Sequence, residues 1–214
     1  MFFNGFKEKA YTIHGDIVKQ NHVRCLLNFL IFVLIAFFNT QLLPFLKKIG
    51  YSNIERNTIL AMNAIFCIVI QIGFAYACDH FQKMKKLFMF VFLFLFLFGN
   101  GMFLISKQQF FFHIMITSLM AAMVKVATGL IETWMLYLDK KQYGIYCSFG
   151  ALGLCVGAPL AGFIVDTFSY FGLFISTIVV CLLLFLCALY CDDISYSEKM
   201  EFPLKIELPI LHQS

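Results

Sequence analysis

The amino-acid sequence predicts an all-α, polytopic membrane protein, and its composition, its apolar runs and the placement of its charges all lead to that class. Of the 214 residues, 61% are hydrophobic, 28 are Phe and only 13% are charged. Soluble domains are close to half apolar and a quarter charged, so no soluble fold of this length could bury so much apolar surface. The first expected partner is therefore the lipid bilayer.

Six apolar runs are each long enough to cross the membrane as a helix, which takes about 20 residues. They cover approximately residues 25–46, 57–78, 87–106, 109–137, 143–165 and 170–191. Membrane strands are excluded because these runs are too long and too uniformly apolar for a barrel. We expect a six-helix bundle over 25–191, with tails at 1–24 and 192–214.

The basic residues predict the orientation of this bundle. Both termini and the loops after the second and fourth runs share one side, which carries Lys7, Lys9, Lys19, Arg24, Lys83, Lys85, Lys86, Lys140, Lys141, Lys199 and Lys205. The other side carries Lys47, Lys48, Arg56 and Lys107. Basic residues favour the cytoplasmic side, so we expect a plasma-membrane protein with both termini in the cytoplasm. The net charge of +4 follows from this bias and gives no reason to expect nucleic acid as a partner.

The eight cysteines include no C-x-x-C pair, and most lie within the apolar runs. They are interpreted as small buried residues and not as metal ligands or disulfides. The sequence contains no nucleotide-binding loop, catalytic triad or metal cluster. We therefore expect no enzymatic activity, no cofactor and no metal.

One short loop concentrates charge between two apolar runs, in the stretch "AYACDHFQKMKK". Its acidic residue Asp79 lies at a predicted membrane boundary and is followed by Lys83, Lys85 and Lys86. The stretch resembles the loop between helices two and three of the major facilitator superfamily, although Ala75, His80 and Gln82 replace expected residues of that motif. The resemblance implies that Asp79 and the lysines form a cytoplasmic gate. The alternative is a short loop whose lysines serve only the orientation of the chain.

A glycine-rich run, "YGIYCSFGALGLCVGAPLAGFIVD", forms the fifth predicted helix. It carries Gly150, Gly153, Gly157, Ala161 and Gly162, and the second, third and fourth of these recur every fourth residue. That spacing predicts a smooth face for close helix packing. The run resembles helix five of the oligosaccharide:proton symporter branch, the lactose-permease-like transporters. A generic glycine-packed helix pair is the alternative.

This resemblance implies alternating-access transport of a small, sugar-like solute coupled to protons. Transporters of this superfamily have twelve helices in two halves, with the solute held between them. The chain resembles the amino-terminal half alone, and its last residues resemble the start of the linker. The expected partners are therefore a second six-helix half, or a second copy in a homodimer, together with a small solute and protons.

Two ionisable residues, Lys125 and Glu132, lie within the fourth predicted helix. They are two turns apart and therefore lie on one face. Charges within a span are costly, so both are candidates for binding a solute or a proton. The resemblance implies a sugar-binding glutamate at Glu132, but its arginine partner falls on Cys147 and its stacking aromatic on Leu154. The alternative places Glu132 near the interface and gives Lys125 a snorkelling or structural role.

Other polar residues inside the spans are weaker candidates for the solute path. Asn39, Gln41 and Asn63 are the main ones, but interhelical hydrogen bonds explain such residues equally well. Trp134 and His113 are expected near the membrane interfaces. Two hypotheses therefore stand. The chain is half of a secondary transporter, or it is a non-transporting six-helix membrane fragment or assembly partner.

Overall fold

The computed structural model describes the backbone of residues 2–81, 84–96, 102, 103, 105 and 107–191, and their side chains from residue 20 onward except 79, 81 and 84. Regular structure in this part of the chain includes five α-helices: α1 (Phe2–Ile49), α2 (Asn53–Phe81), α3 (Met84–Phe94), α4 (Phe110–Leu138) and α5 (Tyr143–Tyr190). Four segments are long and apolar enough to cross a membrane, namely Gln20–Ile49, Asn53–Cys78, Phe110–Leu138 and Tyr143–Tyr190. The prediction of an all-α chain with membrane-crossing helices is confirmed.

The prediction of six separate helices is not matched. The 11-residue helix α3 covers the start of the third predicted span. Residues 97–101, 104 and 106 of that span, Lys83, and the predicted tail 192–214 lie outside the described residues. The fifth and sixth predicted spans follow each other within α5 without an intervening loop, because a single residue separates them.

That residue is Ser169, which divides α5 into a first arm (143–168) and a second arm (170–190). Its φ of 57° and ψ of −172° are not helical, and they lie in a region that residues other than glycine rarely adopt. The chain turns tightly here, since a Cβ on Gly172 would lie 2.3 Å from the Cβ of Phe168. Only glycine fits at position 172 in this turn.

The contacts of α5 show that its second arm folds back. The first arm begins beside Asn21 of α1. The Tyr146 hydroxyl donates a hydrogen bond to Asn21 Oδ1 there, at 3.1 Å. The arm boundary lies at the other end, where the rings of Tyr170 and Phe45 are 4.9 Å apart.

The second arm returns to the starting end, where the Cys191 carbonyl accepts a hydrogen bond from Lys85 near the start of α3. The Phe88 and Trp134 rings, 5.7 Å apart, place the start of α3 beside the end of α4. We call this end, with residues 20–24, 85–88, 132–146 and 189–191, the N-terminal end. The end with residues 45–53, 107–113 and 166–171 is the distal end.

Two pairs of parallel helices make up most of the bundle: α1 packs along the first arm of α5, and α2 packs along α4. The core between α1, α3, α4 and α5 contains fully buried large side chains such as Leu27, Leu34, Phe37, Phe88, Ile131 and Trp134. Trp134 is 0% exposed, and its ring packs against Phe88 inside the core. Its place near a membrane interface stays a prediction.

The turn between α1 and α2 is short and fully specified by local hydrogen bonds. Gly50, at φ 105°, ends α1: its N–H bonds to the Lys47 carbonyl at 3.1 Å, and the Tyr51 N–H bonds to the Leu46 carbonyl at 3.2 Å. This is a Schellman termination, which favours glycine at the left-handed position. Ser52 and Glu55 then form a capping box, with Ser52 N–H donating to Glu55 Oε2 at 2.8 Å and Glu55 N–H to Ser52 Oγ at 3.3 Å.

Candidate functional site: an open polar face on α4

Lys125 and Glu132 lie on a face of α4 that no other described part of the chain covers. Both side chains are exposed, as is Gly129 between them, where an added Cβ would meet no atom within 4 Å. Seven residues of helix separate the two charges by about 10 Å along the axis. The Thr128 hydroxyl on the same stretch donates to the Val124 carbonyl at 2.8 Å and is used within the helix. We call the exposed residues Lys125, Gly129 and Glu132 the open face.

Lys125 is close to the middle of α4, which runs from Phe110 to Leu138. Either end of the helix is about 20 Å away at 1.5 Å per residue. A lysine side chain is too short to bring its ammonium group to water over that distance, and a charge held in lipid at this depth costs about 3 kcal/mol or more. The open face therefore needs water or protein against it.

Neighbouring helices flank the open face on both sides. On the α2 side, Lys125 lies close enough to Cys67 to interact with it electrostatically. On the α5 side, Glu132 lies within electrostatic range of Tyr143, which hydrogen-bonds with Cys147. Cys147 is exposed and lies next to Tyr143. It occupies the position where the resemblance implied an arginine. The groups assembled at this end of the face are thus a carboxylate, a phenol and a thiol.

α1 contributes one predicted candidate next to the open face. Asn39 is exposed and lines a shallow depression together with Ala121 and Val124 of α4. Ala121 precedes Lys125 by one helical turn. Gln41, in contrast, is buried at 7% exposure, and so it lies away from the open surface that holds Asn39.

The remaining polar candidate, Asn63, lies in a buried cluster between α2 and α4. Its Oδ1 is 3.1 Å from the Thr117 hydroxyl and 2.8 Å from the Ser118 hydroxyl. One turn before Thr117 on α4, His113 is 0% exposed. Its place near a membrane interface stays a prediction. We call Tyr51, Asn63, His113, Thr117 and Ser118 the buried polar cluster.

His113 is held by three oxygen atoms. Its Nδ1 lies 2.9 Å from the Tyr51 hydroxyl and 3.0 Å from the Gln109 carbonyl, and its Nε2 lies 3.2 Å from the Ile105 carbonyl. Burial raises the pKa of Tyr51 above its usual value. Which ring nitrogen of His113 donates depends on its tautomer. No spacing within one helix signals this cluster, because its members come from α2, α4 and the turn before α2.

The predicted gate residues differ in what the structure describes. Asp79 belongs to α2, but its side chain lies outside the described residues, as does all of Lys83. Lys85 Nζ donates to the carbonyls of Leu189 and Cys191 at 2.9 and 2.6 Å. A cation at the last carbonyls of a helix is stabilising because it complements the helix dipole. Lys86 is exposed.

The glycine-rich face of α5 lies against α1. An added Cβ would lie 2.7 Å from the Phe32 ring at Gly150, 2.3 Å from the Phe29 carbonyl oxygen at Gly153 and 2.8 Å from the Ala36 Cβ at Gly157. Ala161 continues this face and is 0% exposed. Gly162 is different, because an added Cβ there would meet nothing within 4 Å.

At the distal end, one of the basic residues that oppose the predicted orientation has a specific contact. Lys48 Nζ lies 5.0 Å above the centre of the Tyr170 ring, close enough for a cation–π interaction. Packing at the turn of α5 therefore gives Lys48 a role unrelated to orientation. No group of His, Cys, Asp and Glu suited to a metal ion occurs among the residues that the structure describes.

Comparison with known proteins gives one family. The model of the MFS_1 like family matches residues 25–208, which include the open face and the helices from the middle of α1 onward. No curated protein and no solved structure matches the chain significantly.

Proposed function

The chain belongs to the MFS_1 like family, within the major facilitator superfamily of membrane transporters, and from this premise we propose that it takes part in moving a small solute across the membrane. The observation that carries the proposal is the open face of α4, where Lys125 is exposed at a depth that lipid does not tolerate and Glu132 is exposed two turns away on the same face. A water-filled solute path against this face removes that cost. Asn39 extends the path onto α1.

In this proposal Glu132 is the residue that meets the solute. The Glu132 carboxylate, within electrostatic range of the Tyr143 hydroxyl, offers strong acceptors for the hydroxyl groups of a sugar-like solute, and a carboxylate can also carry a proton. Lys125 lies about 10 Å farther from the N-terminal end of the bundle. In this proposal its ammonium group faces the same path. Because Cys147 cannot supply the bidentate hydrogen bonds of an arginine, the solute differs from that of the lactose-permease-like branch.

The gate and the moving surface of the proposal lie elsewhere. Lys85 ties the start of α3 to the end of α5 at the N-terminal end, and we assign this contact, together with Asp79, to the cytoplasmic gate. The flat contact of the glycines with α1 would let these helices shift during alternating access. We place the protein in the plasma membrane with the N-terminal end in the cytoplasm, as the basic residues favour.

The open face also requires a covering bundle, and we propose a second six-helix half or a second copy of the chain. Cys147 and Cys155 of α5 are exposed and provide reporters for this contact. Thiol crosslinking in native membranes should give an adduct with a second bundle. Only monomers in that experiment would favour the alternative, a non-transporting membrane fragment.

The transport test replaces Glu132 with Gln in membrane vesicles that contain the complete assembly. An imposed pH gradient should drive accumulation of a radiolabelled sugar-like solute by the unmodified protein and not by Glu132→Gln. Glu55→Gln is the matched control, because Glu55 lies at the distal end, where it accepts hydrogen bonds from Ser52 in the capping box. Equal uptake by Glu132→Gln and the unmodified protein would remove Glu132 from the mechanism. Absence of uptake in every variant would favour the non-transporting alternative.

A further inference from the structure

A groove of about 600 Å³ opens between α1 and the first arm of α5 at the N-terminal end of the bundle. It lies apart from the open face of α4, and neither the gate residues nor the glycine face accounts for it. Its volume is within the range of specific small-molecule sites. The groove runs from Asn21 to Phe29 along α1 and from Gln142 to Leu152 along α5.

One end of the groove is polar and lies beside basic residues. Asn21, His22 and Gln142 line it there, and the exposed Lys140 and Lys141 directly precede Gln142. Arg24 is close by, since its guanidinium donates to Asn21 Oδ1 at 3.2 Å. Among the residues described in this loop, Asp139 is the single acid. Its Oδ1 accepts hydrogen bonds from the backbone N–H groups of Lys141 and Gln142. The rim therefore carries a net positive charge.

The N-terminus of α5 adds to this positive rim. Gln142 makes no side-chain capping bond, and the first turn of the helix contains no acidic residue. The dipole of a long helix favours an anion at this end. A negatively charged group beside Lys140 and Lys141 would thus meet two lysines and a helix N-terminus together.

The rest of the groove is apolar and extends into the membrane. Its walls are formed mainly by Leu26, Phe29, Ile145, Phe149 and Leu152. From Ile145 to Leu152 the helix rises about 10 Å, which is most of the depth of one leaflet of hydrocarbon, about 15 Å. An acyl chain fits this shape, because it needs apolar walls for one leaflet and a polar end at the surface.

We propose that this groove binds an anionic phospholipid, with the phosphate beside Lys140, Lys141 and the start of α5 and one acyl chain between α1 and α5. Charge complementarity selects an anionic headgroup over a zwitterionic one, because juxtamembrane lysines attract anionic lipids. A bound lipid would stabilise the contact between the cytoplasmic ends of α1 and α5. The glycine face joins the same two helices farther along. The site does not depend on solute transport, so a failed transport assay leaves it unaffected.

The test is native mass spectrometry of the full chain, with phosphatidylglycerol as the probe. The chain is taken from vesicles of phosphatidylcholine with 20% phosphatidylglycerol, which is about one anionic lipid in five. The unmodified chain should retain phosphatidylglycerol in preference to phosphatidylcholine. Lys140→Gln with Lys141→Gln should lower that preference about fivefold per lysine, or about 25-fold together. These lysines lie in an exposed loop, so the double variant is expected to fold.

Two further variants sharpen the test. Leu152→Trp fills the apolar part of the groove and should reduce retention of both lipids. Lys47→Gln with Lys107→Gln removes the same charge from the distal end and should leave the preference unchanged. Equal retention of both lipids by the unmodified chain, or an unchanged preference after loss of Lys140 and Lys141, would overturn the proposal. A dimer of the chain that carries no lipid, and that Leu152→Trp leaves intact, would also overturn the proposal.

Discussion

The two helix pairs of this bundle are parallel and similar in length, yet they are held together by opposite means. α1 and α5 meet through glycines, with backbone against backbone at Gly153 and Phe29. α2 and α4 meet through the buried polar cluster, where Asn63 joins Thr117 and Ser118. A glycine contact has no directional bond and tolerates a small shift, whereas hydrogen bonds fix one register. Movement in this chain is therefore expected at α1–α5, with α2–α4 as the rigid unit that presents the open face.

The largest effect is expected for Gly153→Leu in the glycine pair. A side chain here would collide with the Phe29 carbonyl oxygen, which belongs to a helix backbone and cannot rotate away. We expect the free energy of unfolding in mixed detergent micelles to fall by about 3 kcal/mol. Gly144→Leu is the control because an added Cβ at Gly144 meets nothing within 4 Å. Equal losses for the two variants would contradict a close α1–α5 contact.

The second effect separates the pairs directly. Asn63→Leu removes the oxygen shared by the Thr117 and Ser118 hydroxyls, and we expect a loss of about 1.5 kcal/mol in the same unfolding assay. Gln71→Leu is the matched control, since Gln71 is an exposed amide on the same helix. If Asn63→Leu left stability unchanged, apolar packing and not hydrogen bonding would hold α2 on α4.

The two pairs also differ in how far their sequences predict them. The glycine face could be predicted because its whole pattern lies within one helix, at Gly153, Gly157 and Ala161. The buried polar cluster could not, because its partners come from two helices and a turn, and no single-helix periodicity reveals which residues meet. For the open face, the sequence identified Lys125 and Glu132 as unusual for a membrane helix. Their exposure depends on where α1, α2 and α5 pack, which only the fold determines.

The boundary within α5 shows the same limit from another side. The sequence placed it between residues 165 and 170, where Asp166 and Ser169 interrupt the apolar run. The structure has it at Ser169 but with no loop, because one residue with positive φ is enough to fold the chain back. Polar residues in an apolar run show where the helix is interrupted. How tightly the chain turns there follows from the packing of Gly172 against Phe168.

A third and smaller effect concerns the contact that links α3 to the end of α5. Lys85→Met removes both hydrogen bonds to the Leu189 and Cys191 carbonyls while keeping an apolar stem. We expect a loss of about 1 kcal/mol and faster trypsin cleavage at the N-terminal end. Lys86→Met is the control, because Lys86 is exposed. Equal cleavage of the two variants would exclude Lys85 as a tether.

The smallest effect is expected at the distal edge of the buried polar cluster. Tyr51→Phe keeps the ring that packs with Leu46 and Ile59 and removes only the hydroxyl 2.9 Å from His113 Nδ1. The His113 contact with the Ile105 carbonyl remains, so we expect a loss of about 0.6 kcal/mol, the average for a hydrogen bond between membrane helices. Tyr190→Phe, at a residue 76% exposed, should change nothing. If Tyr51→Phe behaved like Tyr190→Phe, the rigidity of the α2–α4 pair would rest on Asn63 and its two partners alone, and the distal part of that pair would be as free to shift as the glycine contact of α1 with α5.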